Sequence, residues 1–179
     1  MKNSKLVGEK RLLRNRAKCA SLLQAAIKDD WPEAQKFLQE NPDCVRLPIT
    51  RENATALHIA AAAEHTTFVK ELLKLMKPED LELETSYGYT ALHSAAQSGN
   101  VDIAKQLVRE NKKLLFIPNQ QKEMPLHVAA FLGQKKMVSH LFSETFAELN
   151  RVQRIDLLHY TICTDMYGKP DVQLYRLFE

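Results

Sequence analysis

Residues 55–60 read Thr-Ala-Leu-His-Ile-Ala, and nearly the same phrase returns as Thr-Ala-Leu-His-Ser-Ala at 90–95 and as Met-Pro-Leu-His-Val-Ala at 124–129. The histidine of the phrase recurs after 35 and then 34 residues. A fixed period of this length is the sequence signature of stacked helical repeats. It predicts an all-α solenoid of stacked antiparallel helix pairs joined by hairpin loops. Such arrays present extended concave surfaces, so the period favours a binding protein over an enzyme.

The unit near 83–117 shows the plan of one repeat most clearly. Gly88 permits a hairpin turn with positive φ, and Thr90 caps the first helix. Leu92 and the alanine pair that follows it form an apolar stripe at helical spacing, and Gly99 then ends this helix in a left-handed turn. The next ten residues have the apolar spacing of a second helix. Neither helix can bury its apolar face alone, so each unit needs its neighbours.

We predict that the array occupies residues 19–165, with units near 19–47, 48–82, 83–117 and 118–150 and a partial unit at 151–179. The first unit lacks the threonine and the histidine, as terminal repeats often do because one face meets water. The second unit has Asn53 and Glu64 where the third has glycine. We therefore expect a positive φ at Asn53 and local strain at Glu64. His159 suggests that the partial unit carries the histidine phrase again.

The net charge of +3 is unevenly placed, because residues 1–18 hold seven lysines and arginines against Glu9 alone. A basic N-terminal segment of this kind can attract anionic lipid headgroups, so weak membrane contact is one alternative function. A solvated terminus is the simpler interpretation. We expect no nucleic-acid partner, since no recognition motif accompanies the segment. No apolar run approaches the roughly 20 residues that span a bilayer.

The three cysteines, Cys19, Cys44 and Cys163, are odd in number and far apart in the sequence. They form no Cys-x-x-Cys pair, so the pattern predicts neither a zinc module nor a disulfide framework. Unpaired cysteines are typical of a reducing compartment. We therefore expect a cytoplasmic protein.

The recurring histidines, His58, His93, His127 and His159, invite a metal or catalytic interpretation. Neighbouring helices pack roughly 8–10 Å apart, whereas zinc binds its nitrogen ligands at about 2.0–2.1 Å. Adjacent units therefore cannot share an ion through these side chains, and we predict that each imidazole hydrogen-bonds backbone and hydroxyl groups near the hairpin. The sequence carries no nucleophile elbow, Walker loop or His-Glu-x-x-His motif. We expect no catalysis, no metal, no cofactor and no small-molecule substrate.

The histidine phrase and its period resemble the ankyrin-repeat family over residues 20–165. Three stretches, at 22–26, 111–119 and 154–160, resemble more particularly the plant ankyrin-repeat membrane proteins, which carry a multi-pass Pro-Gly-Gly domain after the repeats. This resemblance implies a repeat region at the cytosolic face of the plasma membrane, with a role in signalling, stress or defence. Because this sequence contains no such membrane domain, we expect a short or truncated paralogue.

The resemblance also implies a partner-binding groove, lined by the hairpin tips and by the inner face of the first helices. We predict that another protein, of unknown identity, binds there through Arg51, Glu52, Tyr87, Tyr89, Gln97, Lys122, Phe131 and Leu132. The aromatic members stand out because aromatic side chains dominate interface energetics. Two alternatives remain open. The tyrosines pack within their hairpins, and Phe131 and Leu132 are buried under the segment 143–155.

Overall fold

A computed structural model describes residues 13–163, which are helical or irregular with no strand among them. Residues 13–18 form a short helical segment, which we leave unnumbered. The numbered helices that follow it are α1 (Ala20–Lys28), α2 (Trp31–Glu40), α3 (Ala56–Ala62), α4 (Thr66–Leu73), α5 (Ala91–Ser98), α6 (Val101–Glu110), α7 (Pro125–Phe131), α8 (Lys135–Thr145) and α9 (Arg151–Cys163). Short 3-10 segments follow the second helices at Pro42–Val45, Pro78–Glu82, Lys112–Phe116 and Phe146–Glu148.

The helices form two layers. The first helices α1, α3, α5, α7 and α9 pack side by side in chain order, and the second helices α2, α4, α6 and α8 do the same behind them. Each of the first helices α1, α3, α5 and α7 also packs against the second helix of its own pair. This confirms the predicted all-α solenoid of stacked antiparallel helix pairs. The predictions about residues 1–12 and 164–179, which include most of the basic segment, lie outside the described residues.

Small side chains explain the close spacing of the first layer. Every first helix of the four pairs carries two adjacent, fully or almost fully buried alanines: Ala25 and Ala26, Ala60 and Ala61, Ala95 and Ala96, Ala129 and Ala130. The second layer contributes the larger core residues, such as Phe68, Ile103 and Met137, which are completely buried. The core therefore runs continuously along the array. The alanine pairs allow the first helices to lie close together, because the side chains at a contact set the distance between two helices.

The hairpins between units are joined to one another by hydrogen bonds. The Ser86 backbone N–H donates to the Glu52 carbonyl at 2.7 Å, and the Gln120 N–H donates to the Tyr87 carbonyl at 3.1 Å. Gly88, at the tip of the middle hairpin, has a φ of 76°. A Cβ atom at Gly88 would lie 2.8 Å from the Gln120 nitrogen. The turn therefore requires glycine both for its conformation and for the close approach of the next hairpin.

The two non-glycine turn residues of the second unit adopt the backbone that the sequence predicts. Asn53 has a φ of 60° and Glu64 a φ of 63°, in the same left-handed region as Gly99 and Gly133 in the later units. This conformation is unfavourable for a residue with a long side chain such as Glu64. The expected local strain at Glu64 is therefore confirmed.

The prediction that the cysteines are unpaired is wrong for two of them. Cys19 and Cys44 form a disulfide, with their Cα atoms 6.1 Å apart and both side chains completely buried. The antiparallel course of α1 and α2 is the reason. The chain runs out along one helix and back along the next, so Cys44 returns to the start of α1. Sequence separation alone did not reveal this contact. The side chain of Cys163 lies outside the described residues.

The prediction that His159 begins a fifth histidine phrase is also wrong. Helix α9 already begins at Arg151, and His159 lies exposed well inside it. The cap is made instead by Asn150 and Gln153. The Asn150 N–H donates to Gln153 Oε1 at 2.9 Å, and the Gln153 N–H donates to Asn150 Oδ1 at 3.0 Å. Glutamine thus takes the place of histidine in a reciprocal capping box.

Candidate functional site

His58 connects the start of its own helix to the hairpin of the next unit. Its Nδ1 accepts the Thr55 backbone N–H at 3.2 Å and lies 2.9 Å from the Thr55 hydroxyl. Its Nε2 lies 3.0 Å from the Tyr89 carbonyl oxygen. Because Nδ1 accepts, Nε2 carries the proton and donates. The neutral imidazole therefore fits this place and the imidazolium does not.

The other two histidines of the phrase repeat this arrangement. His93 Nδ1 accepts the Thr90 N–H at 3.1 Å, and its Nε2 reaches the Glu123 carbonyl at 3.2 Å. His127 accepts the Met124 N–H at 3.2 Å and reaches the carbonyl oxygen of Gln153 at 3.2 Å. The predicted structural role of these imidazoles is confirmed, and both ring nitrogens of each are engaged by the backbone. Among residues 13–163, no cluster of three or more histidine, cysteine, aspartate or glutamate residues is arranged to hold a metal ion.

Burial controls the protonation of the first two histidines. Loss of hydration lowers the pKa of His58 to about 4, although its hydrogen bond to the Tyr89 carbonyl partly opposes the shift. Burial likewise lowers the pKa of His93 to about 4, against the opposing hydrogen bond to Glu123. Both rings are therefore neutral at physiological pH. Both ring nitrogens of each serve the scaffold of the site.

Most of the predicted site residues on the hairpin tips are exposed. Arg51 and Glu52 lie at the tip of the first hairpin between units, and Lys122, with a φ of 65°, lies at the tip of the third. Tyr87, at the tip between them, is 56% exposed. The hairpin hydrogen bonds fix the backbones of these tips in one row. The row thus presents charged and aromatic side chains along one edge of the array.

Tyr89 differs from Tyr87, because it is only partly exposed. Its ring stacks on the imidazole of His93, with the ring centroids 5.2 Å apart and the planes inclined by 11°. For Tyr89 the interpretation as hairpin packing therefore has direct support. The Tyr89 ring thus covers one face of the His93 imidazole.

The predicted residues at the ends of the first helices are exposed as well. Gln97 is exposed on α5. Phe131, the last residue of α7, is 60% exposed, and Leu132, which caps that helix, is 47% exposed. The alternative that the segment 143–155 buries Phe131 and Leu132 is wrong. Its residues belong to the end of α8, a 3-10 turn and the start of α9, which extend the stack and leave the end of α7 uncovered.

The sequence analysis missed Ile27 as an exposed apolar residue of this surface. Ile27 on α1 is 52% exposed and occupies the position after the alanine pair, like Ala62, Gln97 and Phe131 in the following units. The repeat period was the signal that could have found it, because these four positions are 35, 35 and 34 residues apart. Together they form an uncharged row across the inner helices. We call this row and the hairpin tips the concave surface.

No helix within the described part of the chain is long and apolar enough to cross a membrane.

Comparisons with known proteins agree with this architecture. A family model described as ankyrin repeats (3 copies) matches residues 22–115 and 71–153. The chain is 32% identical over 111 residues to the interferon antagonist OPG040 of Vaccinia virus, covering 62% of this chain and 38% of that protein. It is 33% identical over 127 residues to the ankyrin repeat-containing protein ITN1 of Arabidopsis thaliana, covering 56% of this chain and 22% of that protein. The chain thus spans less than two fifths of the length of either relative.

A solved structure shows the same fold. A chain in the crystal structure of the yeast ribosomal protein Rps3 in complex with its chaperone Yar1 superimposes with a TM-score of 0.68 at 22% sequence identity. The match covers 75% of this chain and 97% of that chain.

Proposed function

The chain belongs to the ankyrin-repeat family, and from this premise we propose that it is a protein-interaction module whose partner lies against the concave surface. The module corresponds to the array at residues 19–165, with the unit boundaries given above. The predicted contact residues are those of the sequence analysis, with Ile27 added. Repeat arrays use extended concave surfaces in this way, and an exposed groove that spans several units can hold a polypeptide segment.

The exposure of Phe131 and Leu132 carries this proposal. Every earlier residue of α7 from Pro125 to Ala130 is buried, and exposure then rises to 60% at Phe131 and 47% at Leu132. Exposed apolar side chains that cluster mark interaction surfaces, and partly exposed aromatic residues are the usual anchors. Tyr87, 56% exposed at a hairpin tip, supplies a second aromatic anchor.

The chemistry of the surface indicates the kind of segment that fits it. Ile27, Ala62, Gln97 and Phe131 carry no charge, whereas Arg51, Glu52 and Lys122 supply charges of both signs along the hairpin edge. We therefore propose an apolar segment against the inner helices, flanked by polar groups that meet the hairpin tips. Apolar cores with polar rims are the common organisation of such interfaces.

We propose an adaptor role in signalling or defence, without catalysis, cofactor or small-molecule substrate of its own. Among its relatives are an interferon antagonist of Vaccinia virus and the protein Accelerated cell death 6 of Arabidopsis thaliana. Their names support a role in defence. The engagement of both ring nitrogens in the three histidines supports a non-catalytic scaffold. The basic segment does not enter the proposal, since residues 1–12 lie outside the described part.

Selection of binding peptides tests the proposed surface without knowledge of the natural partner. Peptides selected from a displayed library against the wild-type chain are titrated by fluorescence anisotropy. We expect the variant with Tyr87→Ala and Phe131→Ala to lose at least about tenfold in affinity, as is typical for two aromatic anchors. Leu75→Ala is the matched control, because Leu75 is 50% exposed and follows the second helix α4. Equal affinities for wild type and the double variant would exclude the concave surface as the binding site.

A further inference from the structure

The first unit differs from its neighbours in how it is attached to the hairpin that follows it. In the second unit the Nε2 of His58 reaches the next hairpin through the Tyr89 carbonyl. The aligned position of the first unit is Leu23. Ala54 aligns with Tyr89, and its carbonyl accepts the Ile49 N–H of its own hairpin at 2.8 Å. The first unit therefore lacks the hydrogen bond that the second and third units make to the hairpins after them.

The disulfide makes the connection at this end of the array. Cys19 is the N-cap of α1, and Cys44 lies in the 3-10 segment that follows α2 and leads into the hairpin. Two parts of the concave surface extend from these attachment points, namely Ile27 on α1 and the hairpin tip with Arg51 and Glu52. The disulfide therefore holds together the N-terminal end of the concave surface.

Non-covalent contacts of the first unit are those of an end unit. α1 packs against α3, and α2 packs against α4. Nδ1 of His65 also donates a hydrogen bond to the Ala26 carbonyl at 2.9 Å. An end unit has a neighbour on one side only, so it opens at a lower free energy than the interior of the array. The disulfide therefore raises the fraction of molecules in which the first helix pair, with Ile27, is in place.

Local opening of the same end unit brings the disulfide into contact with solvent. Both cysteine side chains are completely buried in the closed form. A surface cleft of about 820 Å³ is lined by residues from the segments that carry them: Arg14, Asn15, Lys18, Asp43, Arg46 and Leu47. Lys18 directly precedes Cys19, and Asp43 directly precedes Cys44. Displacement of the start of α1 at this cleft exposes the sulfur atoms and does not require the rest of the array to unfold.

A purely stabilising role explains less of this arrangement. Disulfides are needed for stability mainly in small domains that cannot build a sufficient hydrophobic core. Here the core is continuous from Cys19 to Leu157 and passes through all four helix pairs. The disulfide acts at one end of this core. A bond at that place changes one part of the concave surface and leaves the remainder as it is.

On the basis of the binding function proposed above, we propose that thiol–disulfide exchange at Cys19 and Cys44 regulates the affinity of the concave surface. A dithiol reductant opens the bond in two steps. One thiolate of the reductant attacks a cysteine sulfur, which forms a mixed disulfide and releases the other cysteine thiolate. The second thiolate of the reductant then displaces the remaining cysteine. The reductant leaves as a cyclic disulfide, and its two electrons and two protons end on the two cysteine thiols.

Reduction lowers affinity because the binding-competent state, with the first pair in place, becomes less populated. The peptides selected for the concave surface are titrated by anisotropy against the oxidised chain, the chain reduced with dithiothreitol and the reoxidised chain. We expect reduction to weaken binding about fivefold and reoxidation to restore it. Equal affinities of the oxidised and reduced chain for every selected peptide would overturn the proposal.

Cysteine variants assign the effect to this disulfide. The double variant Cys19→Ser and Cys44→Ser should bind like the reduced wild-type chain and should not respond to dithiothreitol. Cys163→Ser is the matched control, and it should respond to dithiothreitol as the wild type does. A response that persists in the double variant would show that dithiothreitol acts elsewhere and would contradict the proposal. Thermal unfolding checks that each variant folds.

Ile27→Ala separates a local effect on the first unit from a general one. We expect it to weaken peptide binding in the oxidised chain and to reduce the response to dithiothreitol to about twofold or less, because the contact is already lost. A full response in Ile27→Ala would overturn the assignment to the N-terminal end of the surface. Binding unaffected by Tyr87→Ala with Phe131→Ala would instead exclude the concave surface itself, so the two proposals fail by different results.

Maleimide labelling tests the chemistry without a ligand. We expect dithiothreitol to free both buried cysteines of the wild-type chain in the absence of denaturant, whereas the chain that has not been reduced exposes neither. Labelling of Cys19 and Cys44 is read by mass spectrometry of the digested chain. A disulfide that dithiothreitol opens only after urea is added would overturn the proposal, whichever peptides the concave surface binds.

Discussion

Nε2 of His58 lies 3.0 Å from the carbonyl oxygen of Tyr89, a residue of the next unit's hairpin. The opposite ring nitrogen of His58 holds the first turn of its own helix through the Thr55 N–H. One side chain therefore joins the cap of one unit to the loop of the next. His93 repeats the connection through the Glu123 carbonyl, and His127 reaches Gln153 in the first turn of α9. The hairpin row of the concave surface is thus held in place by buried imidazoles beneath it.

Replacement of His93 by alanine should destabilise the array strongly. The change leaves the buried Thr90 N–H without its acceptor, removes one of the donors to the Glu123 carbonyl and creates a cavity, because His93 is completely buried. We expect a loss of about 3 kcal/mol in the free energy of unfolding, measured by urea denaturation.

His93→Gln is the matched control for this variant. Gln153 shows that a glutamine at the same helix position accepts the cap N–H, from Asn150 at 2.9 Å. Glutamine at position 93 should keep the cap and lose the bond to Glu123, so we expect about half the destabilisation of His93→Ala. Alanine and glutamine variants of equal stability would contradict this division of the two bonds.

Acidification should destabilise the folded chain between about pH 6.5 and pH 4. Burial lowers the pKa of both His58 and His93 from 6.5 to about 4, so the unfolded chain binds more protons than the folded chain throughout this window. The stabilisation is fully present above the unfolded pKa and is lost as the pH falls. We expect roughly 2 kcal/mol per histidine to be lost by pH 5.

Urea denaturation at pH 7 and pH 5 measures this loss, and the Hε1 NMR signals of the folded chain report the two pKa values directly. His93→Gln removes one of the titrating groups and should flatten the pH dependence of stability. Histidine signals of His58 and His93 that titrate near pH 6.5 in the folded state would refute the prediction.

Much of the fold could be predicted from the repeat phrase, because the residues that start and end each helix and the residues that pack it against its neighbours recur together in every phrase. Thr55 and Thr90 cap their helices with the following histidine, and the alanine pairs are buried as expected. The positive φ of Asn53 followed from its alignment with Gly88. Each of these features depends only on residues of one unit and of the adjacent unit, which has the same sequence pattern. The repeat period is therefore enough to predict them.

The features that the sequence did not reveal depend on where distant parts of the chain meet. The contact of Cys19 with Cys44 requires the exact return of α2 to the start of α1. The exposure of Phe131 depends on the path of the segment 143–155, which could equally have folded over it. Which exposed side chains of neighbouring second helices meet also depends on long-range packing, since apolar spacing fixes the buried face of a helix but not its exposed contacts.

Alanine at Gly88 should be more destabilising than alanine at Gly133. Both glycines have a left-handed backbone, with φ of 76° and 69°. The Cβ of alanine at position 88 would lie 2.8 Å from the Gln120 backbone nitrogen, whereas the Cβ at position 133 would meet nothing within 4 Å. We expect Gly133→Ala to cost about 1 kcal/mol from its backbone conformation alone.

Gly88→Ala adds the displacement of the neighbouring hairpin to that cost, and we expect a further 1–3 kcal/mol or so. Thermal or urea denaturation of the two variants measures the difference. Amide exchange at Gln120 should also accelerate in Gly88→Ala alone, because its N–H donates to the Tyr87 carbonyl at 3.1 Å. Equal destabilisation by the two substitutions would show that the hairpins can separate without cost.

Loss of the disulfide should loosen the first helix pair more than the rest of the array. Cys19 and Cys44 enclose α1 and α2 with a sequence separation of 25 residues, and the chain-entropy model gives about 3.5 kcal/mol for a loop of this size. The first unit also has Leu23 in the place of the bridging histidine, so it lacks that means of holding the next hairpin. Hydrogen exchange of the double variant Cys19→Ser and Cys44→Ser should therefore rise in α1 and α2 and change little in α5 to α8.

Cys163→Ser is the matched control, and it should leave exchange in α1 and α2 at the wild-type level. Dithiothreitol should reproduce the double variant's pattern in the wild-type chain and have no effect on the double variant itself. In a one-dimensional array, stability is close to a sum of unit and interface contributions, so an opened end unit does not unfold its distant neighbours. A uniform rise of exchange across the whole array would mean that the disulfide stabilises the protein globally, and would contradict the local role argued for it.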